Sequence, residues 1–156
     1  LEGKKIVLGV AFDWSEKKGL KDFVFLANNL PKTDYQVVLI GINEKQKQRL
    51  PHNIITVPKT NSQEELAQWY SEAFVFVNPT YEDNFPSVNL EAQECGTPVI
   101  TYNTGGSVES VPEENVVSKG DVQGLLKKIS NNKLRCKKGW NIQSMTLRYL
   151  DVISEN

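Results

Sequence analysis

The chain has 156 residues, of which 39% are hydrophobic and 24% charged, and its 18 Lys and Arg nearly cancel its 19 Asp and Glu. That length suits one domain, which buries about 68 to 70% of the surface its unfolded chain exposes. The charge balance excludes the basic stripe of a nucleic-acid groove and the one-sided charge of a disordered tract.

Taken in chain order, LEGKK leads straight into a first predicted strand, KIVLGVA (5–11), an abrupt start that suggests an excised domain with Leu1-Glu2 as a cloning scar. The loop FDWSEKKG follows, then a helix over 20–30 and a second strand, YQVVLIGI (35–42). His52, the single histidine, sits beside Pro51 in a predicted surface turn, and NIITVP (53–58) makes a third strand. A helix over 62–73 opens on Ser62 with Glu65 three residues on, the signature of a capping box. FVFVNP (74–79), PVITYN (98–103) and NVVS (115–118) complete the strands, with helices over 86–95 and 121–131 between and after them. The tail WNIQSMTLRYLDVISEN reads as an amphipathic helix that docks on its own sheet or on a partner domain. Most strand segments are continuous apolar runs, as expected when both faces of a sheet are covered. The fold class is therefore α/β, a parallel sheet of about six strands with helices on both faces. No run reaches the roughly 20 apolar residues of a membrane span, and the N-terminus is not a secretory signal. Cys95 and Cys136 lie far apart, without metal or redox spacing, and are read as reduced thiols of a cytoplasmic protein.

Ligands of an open parallel sheet bind outside the carboxyl ends of its strands, so the loops to inspect are FDWSEKKG, PKTN, TYEDNF and NTGGSVE. In TYEDNFPSVNLEAQECG, Pro86 fits the first turn of a helix and Asn84 its cap. Val88, Ala92 and Cys95 then form an apolar stripe, with Glu91 about 60° from its centre. Glu91 rises about 7 to 8 Å above Pro86. If the open amides of the first turn held a phosphate, this carboxylate would lie where it accepts from both hydroxyls of a ribose. The alternative is an acid on a solvated face. Lys17 and Lys18, where the first strand gives way to the first helix, suit a pyrophosphate; a solvated lysine pair is the bland reading. There is neither a GxGxxG nor a GxxxxGK[ST] pattern in the first loop, which argues against a dinucleotide oxidoreductase and a P-loop NTPase. Trp14 is a candidate site-lining residue, while Trp69 and Trp140 are read as packing; Lys59 and Thr60 are base-contact candidates by loop position.

The string EDNFPSVNLEAQECGTPVITYNTGGSVE resembles the C-terminal half of retaining glycosyltransferases of the GT-B fold, the group typified by sucrose, glycogen and bacterial polysaccharide synthases. Their signature is an acid, seven intervening residues and Glu, followed by a small-residue turn and Gly-Thr-Pro-Val-Ile; Asp83 and Glu91 have that spacing, with Glu82 adjacent. The resemblance extends over roughly residues 5–111 and is most similar to bacterial capsule and lipopolysaccharide transferases. It implies a Rossmann-like domain, one half of a GT-B fold, with the N-terminal acceptor-binding half outside this chain. It implies that Glu91 binds ribose, that Lys17 and Lys18 bind the donor diphosphate together with the amides around Phe85, Pro86 and Ser87, and that Asp83 or Glu82 contacts the transferred sugar. The group usually has an Arg a few residues before the loop lysine; here Phe12 to Trp14 stand there and Lys17 takes its place.

The activity implied is transfer of a sugar from a UDP- or GDP-sugar to a glycan or lipid-linked acceptor, with retention and without a metal or other cofactor. The location implied is the cytoplasm, or the membrane periphery for a full-length protein. The isolated domain is expected to bind donor but not to turn over. Competing readings are a nucleotide-sugar epimerase and a non-catalytic nucleotide-sugar binder. A glycoside hydrolase, with paired carboxylates, leaves the lysine pair without a role.

Overall fold

The computed structural model describes residues 3–82, 87–131 and 133–136. Within them, strands β1 (Lys5–Val10), β2 (Tyr35–Ile40), β3 (Ile54–Val57), β4 (Val75–Asn78), β5 (Val99–Tyr102) and β6 (Val116–Val117) form one sheet in the order β3-β2-β1-β4-β5-β6. Every neighbouring pair runs parallel. Helices α1 (Leu20–Asn29), α2 (Glu44–Arg49), α3 (Gln63–Glu72), α4 (Ser87–Glu94) and α5 (Val122–Asn131) make up the remainder, with single 3-10 turns at Glu16–Lys18, Gly105–Glu109 and Glu113–Asn115.

The continuous apolar runs divide their side chains between two cores, because successive residues of a strand point to opposite faces. Val7, Val37, Leu39, Val75 and Val77 pack on one face against Phe23 and Leu26 of α1 and Leu125 and Ile129 of α5. Ile6, Leu8, Val38, Ile40 and Phe76 pack on the other face against Tyr70 of α3 and Ala92 of α4. Each fully buried side chain of this size contributes about 1.5 to 3 kcal/mol relative to exposure. The predicted α/β class, with a parallel sheet covered on both faces, is the observed one.

Three details differ from the sequence reading. Helix α2 was not anticipated: EKQKQR lacks an apolar stripe, and it is held at its start by a capping box in which Asn43 Oδ1 accepts from the Gln46 amide at 2.8 Å and Gln46 Oε1 from the Asn43 amide at 3.2 Å. The box expected at α3 is only half formed. Ser62 Oγ accepts from the Glu65 amide, but the Glu65 carboxylate accepts from Asn61 rather than from Ser62. The apolar stripe expected on α4 also shifts: Asn89, Ala92, Gln93 and Glu94 are buried, while Val88 and Cys95 sit half-buried at the rim of the core. The amides can be buried because they are hydrogen-bonded, as described below. Asn84 and Pro86, expected to open this helix, Leu1 and Glu2, and the tail with Trp140 lie outside the described residues.

The strand order fixes where a ligand can enter. β1 is flanked by β2 on one side and by β4 on the other, so the connections after β1 and β4 leave in opposite directions and open a crevice at their carboxyl ends.

Candidate functional site

Two loops meet at that crevice. The first runs from β1 through the turn Glu16–Lys18 to Gly19; the second follows β4 through Pro79, Thr80, Tyr81 and Glu82. Backbone bonds join them, with the Tyr81 amide donating to the Lys17 carbonyl at 2.8 Å. Gly19 has φ of 80° and lies so close to Pro79 that a Cβ would collide with the Pro79 carbonyl, so a side chain there would push the loops apart.

The second loop is tied down from below as well. The Tyr81 hydroxyl donates to Asp22 Oδ2 at 2.7 Å, Tyr102 donates to the same oxygen at 2.8 Å, and Thr104 Oγ1 donates to the Thr80 carbonyl at 3.0 Å. Burial first, and the Asp22 carboxylate second, push both phenols above their ordinary value, so both remain protonated donors.

Lys17 and Glu82, two of the sequence candidates, are brought together on this scaffold, their charged groups 3.0 Å apart. Both side chains are 66% exposed, so the pair contributes at most about 1 kcal/mol and is readily exchanged for another partner. Lys18 is half-buried in the same turn, and Ser87 is exposed at the first position of α4. Asp83, Phe85 and Pro86 lie outside the described residues.

Glu91 lies on α4, half-buried as its helical position implied. Its Oε2 accepts from the Tyr70 hydroxyl at 3.4 Å. Burial raises its carboxyl from an ordinary 4.5 to about 7, against the opposite pull of the Tyr70 hydrogen bond. A carboxyl in that state is poorly solvated when charged, and donors arriving from a ligand would favour its ionised form.

What sets the rotation of α4 is a polar chain that sequence reasoning missed. Asn78 Nδ2, at the end of β4, donates to Asn89 Oδ1 at 2.9 Å, and Asn89 Nδ2 donates to Ser110 Oγ at 2.9 Å. Gln93 Nε2 adds bonds to the Asn89 and Ser110 carbonyls at 3.0 and 2.6 Å. The signal was the pair Asn89 and Gln93, four apart and hence on one helix face. Tyr70 was missed because nothing in its neighbourhood marks it as a partner of Glu91.

Of the two base-contact candidates, Lys59 is exposed, with its ammonium 5.8 Å from the centre of the Phe12 ring, and Thr60 is half-buried. Trp14 lines the cleft between these loops but is itself buried, its indole N–H donating to the Ile40 carbonyl at 2.8 Å. His52 is exposed, Trp69 is partly buried against the core, and Cys95 and Cys136 are free thiols. Among the described residues no cluster of three or more His, Cys, Asp or Glu is placed to hold a metal ion, and no helix is long and apolar enough to cross a membrane.

The sequence profile of the family described as "Glycosyl transferases group 1" matches residues 1–134. The chain belongs to that family. Among curated proteins, a D-inositol 3-phosphate glycosyltransferase of Arthrobacter sp. (strain FB24) is 34% identical over 97 residues, covering 56% of this chain and 23% of that protein. One of the same description from Streptomyces bingchenggensis (strain BCW-1) is 53% identical over 45 residues, or 29% of this chain and 10% of that protein. Among solved structures, sucrose-phosphate synthase from Thermosynechococcus elongatus superposes with a TM-score of 0.70 at 30% identity over 82% of this chain and 36% of its own. WaaG, a glycosyltransferase involved in lipopolysaccharide biosynthesis, superposes with a TM-score of 0.71 over all of this chain and 48% of its own; at 17% identity it bears on the fold alone. The described domain thus has the Rossmann-like fold of GT-B glycosyltransferases, and it spans less than a quarter of the length of these curated relatives.

Proposed function

We propose that this glycosyl transferases group 1 chain is the donor-binding half of an enzyme that passes a hexose from a nucleotide-diphosphate sugar to a glycan or lipid-linked acceptor, with retained anomeric configuration. The observation that carries this reading is the switch-point crevice, where Lys17 and Glu82 face each other at 3.0 Å beside the helix that holds Glu91.

In this reading the donor diphosphate replaces Glu82 as the partner of Lys17, with Lys18 adding a second positive charge. The cations offset the charge that develops as the diphosphate leaves, so the reaction needs no metal. Ser87 with Phe85 and Pro86 contributes first-turn amides to the phosphate or the sugar. Glu91 accepts from the ribose hydroxyls and ionises as they arrive. Glu82, freed from Lys17, or Asp83 contacts the transferred sugar. The acceptor site belongs to a second domain, which closes over the donor and excludes water, so the isolated chain binds donor without transferring it. The enzyme works in the cytoplasm or at the membrane periphery, in polysaccharide biosynthesis.

Calorimetric titration of the 156-residue chain with UDP, GDP and their sugars tests this. Binding of at least one, weakened by added salt, is the expected result. No binding of any, or sustained transfer of sugar to a glycan by this chain alone, would overturn the reading.

A further inference from the structure

The loop after β1 has a cation near one end and an aromatic ring at the other. Phe12 is 80% exposed, and no other large apolar side chain among the described residues is exposed in this way. Its backbone, by contrast, is fixed. The Ala11 amide and the Trp14 indole both donate to the Ile40 carbonyl, at 3.2 and 2.8 Å, and Gln46 Nε2 donates to the Trp14 carbonyl at 2.9 Å. Gly41, with φ of 96°, lets the Ala11 carbonyl approach closer than any Cβ would allow. The neighbours Ala11 and Trp14 are buried, so the loop had apolar positions for its side chains and yet presents this one to water.

Beside the ring lies a cleft of about 300 Å³ lined by Phe12, Trp14, Asn43, Gln46, Pro58 and Lys59. That volume is at the lower limit of small-molecule sites and suits a single flat ring system. The Lys59 ammonium stands over the Phe12 face, which shows that this face is open to a partner that favours a π surface. Phe12 is also five residues before Lys17, a reach of at most about 17 Å. One loop therefore carries both a stacking surface and a phosphate-type cation, near enough along the chain to meet the two ends of one nucleotide diphosphate.

We propose that Phe12 is the stacking platform for the nucleobase of the donor, with Lys59 displaced from the ring face to the polar edge of the base; this rests on the donor-binding reading above. Stacking on one rigid ring is tolerant of base identity, so Phe12 supplies affinity for both UDP and GDP, and the choice between them is left to the polar lining of the cleft.

The test compares the parent chain with Phe12→Ala, Phe12→Trp and Glu91→Gln by calorimetry against UDP, GDP and inorganic pyrophosphate. Phe12→Ala is expected to weaken UDP and GDP about ten- to hundredfold. Pyrophosphate affinity stays as in the parent, and Phe12→Trp restores nucleotide binding. Because the side chain is exposed, its thermal melt should match that of the parent. If Phe12→Ala binds both nucleotides as tightly as the parent while Glu91→Gln weakens them, the platform is overturned and the donor reading stands; the ring then belongs to an interface with another domain or protein. If the parent binds no nucleotide, both fall.

Discussion

The two helices that leave the switch point are held to the sheet by different proportions of the same forces. α1, after β1, buries Phe23, Leu26 and Ala27, an apolar face that carries most of its attachment, and its hydrogen bonds to the rest of the fold reach only its ends, at Asp22 and the Ala27 carbonyl. α4, after β4, buries Asn89, Ala92, Gln93 and Glu94, and hydrogen bonds to Asn78 and Ser110 fix it. Apolar burial is non-directional and tolerates small rotations, whereas a hydrogen bond fails when its geometry drifts. The difference follows what each helix carries. α1 carries a supporting carboxylate, Asp22, bonded by two tyrosines, and α4 carries Glu91, whose placement beside Tyr70 depends on the rotation of its helix.

Removing the apolar anchor should cost most. Phe23→Ala, a fully buried ring in contact with the edge of Trp14, is expected to destabilise by about 3 to 5 kcal/mol, read from denaturant unfolding. Whatever fraction stays folded should lose far less affinity for nucleotide than stability, since the ring reaches the cleft beside Phe12 only through Trp14. Equal loss of affinity and stability would show that α1 is as position-sensitive as α4.

Asn89→Ala breaks the directional side of the comparison. It leaves Asn78 Nδ2 and Ser110 Oγ buried with their shared partner gone, at a cost of about 2 to 3 kcal/mol. Here affinity for nucleotide diphosphate should fall even in fully folded protein at low temperature. An Asn89→Ala variant with parental affinity would mean that the amides only satisfy each other and do not aim Glu91.

Glu91→Gln should separate binding from stability. The folded carboxyl titrates at about 7 against an ordinary 4.5 because burial disfavours its charge. Between those values the folded chain holds a proton that the unfolded chain has released, so the contribution is full below about 4.5 and is lost as pH rises through 7. Glu91→Gln is therefore expected to be nearly neutral at about pH 4 and stabilising by about 1 to 3 kcal/mol at about pH 8. The same variant should bind nucleotide diphosphate about tenfold more weakly. Melting curves at the two pH values check the first statement, and titration checks the second.

The smallest effect is expected at the exposed pair. Glu82→Gln removes the carboxylate that holds Lys17 and should change stability by less than about 1 kcal/mol. Diphosphate should bind slightly more tightly at low salt and equally at high salt, in paired titrations. A drop in affinity would place Glu82 among the ligand's own contacts.

The same contrast explains how far the sequence could be read. Runs such as YQVVLI and VFVN announce strands covered on both faces, because burial of apolar surface depends on the residues present and not on their partners. The placement of Lys17 and Glu82 at one crevice followed from the alternation of strands and helices that implies such a sheet. α2 was invisible because EKQKQR has no apolar period, and its start is marked by Asn43 and Gln46 alone. The burial of Asn89 and Gln93 was hidden for a different reason. An amide reads as solvent-facing until its partner is known, and the partners Asn78 and Ser110 stand 11 and 21 residues from Asn89. The acidity of Glu91 was likewise illegible, since it depends on how much of α3 and Tyr70 the fold lays against it.

The pairing of β1 with β4, Val7 beside Val75 and Leu8 beside Phe76, has a thermodynamic consequence. The crevice between their loops exists only when strands from distant parts of the chain lie side by side, so no unfolded or half-assembled chain contains it. A ligand of the crevice therefore binds the native state alone and stabilises the entire sheet by mass action, about 2.7 kcal/mol at a free concentration one hundred times its Kd. Melting temperature becomes a direct gauge of occupancy, rising with ligand concentration and without a plateau as long as the unfolded chain has no affinity for it.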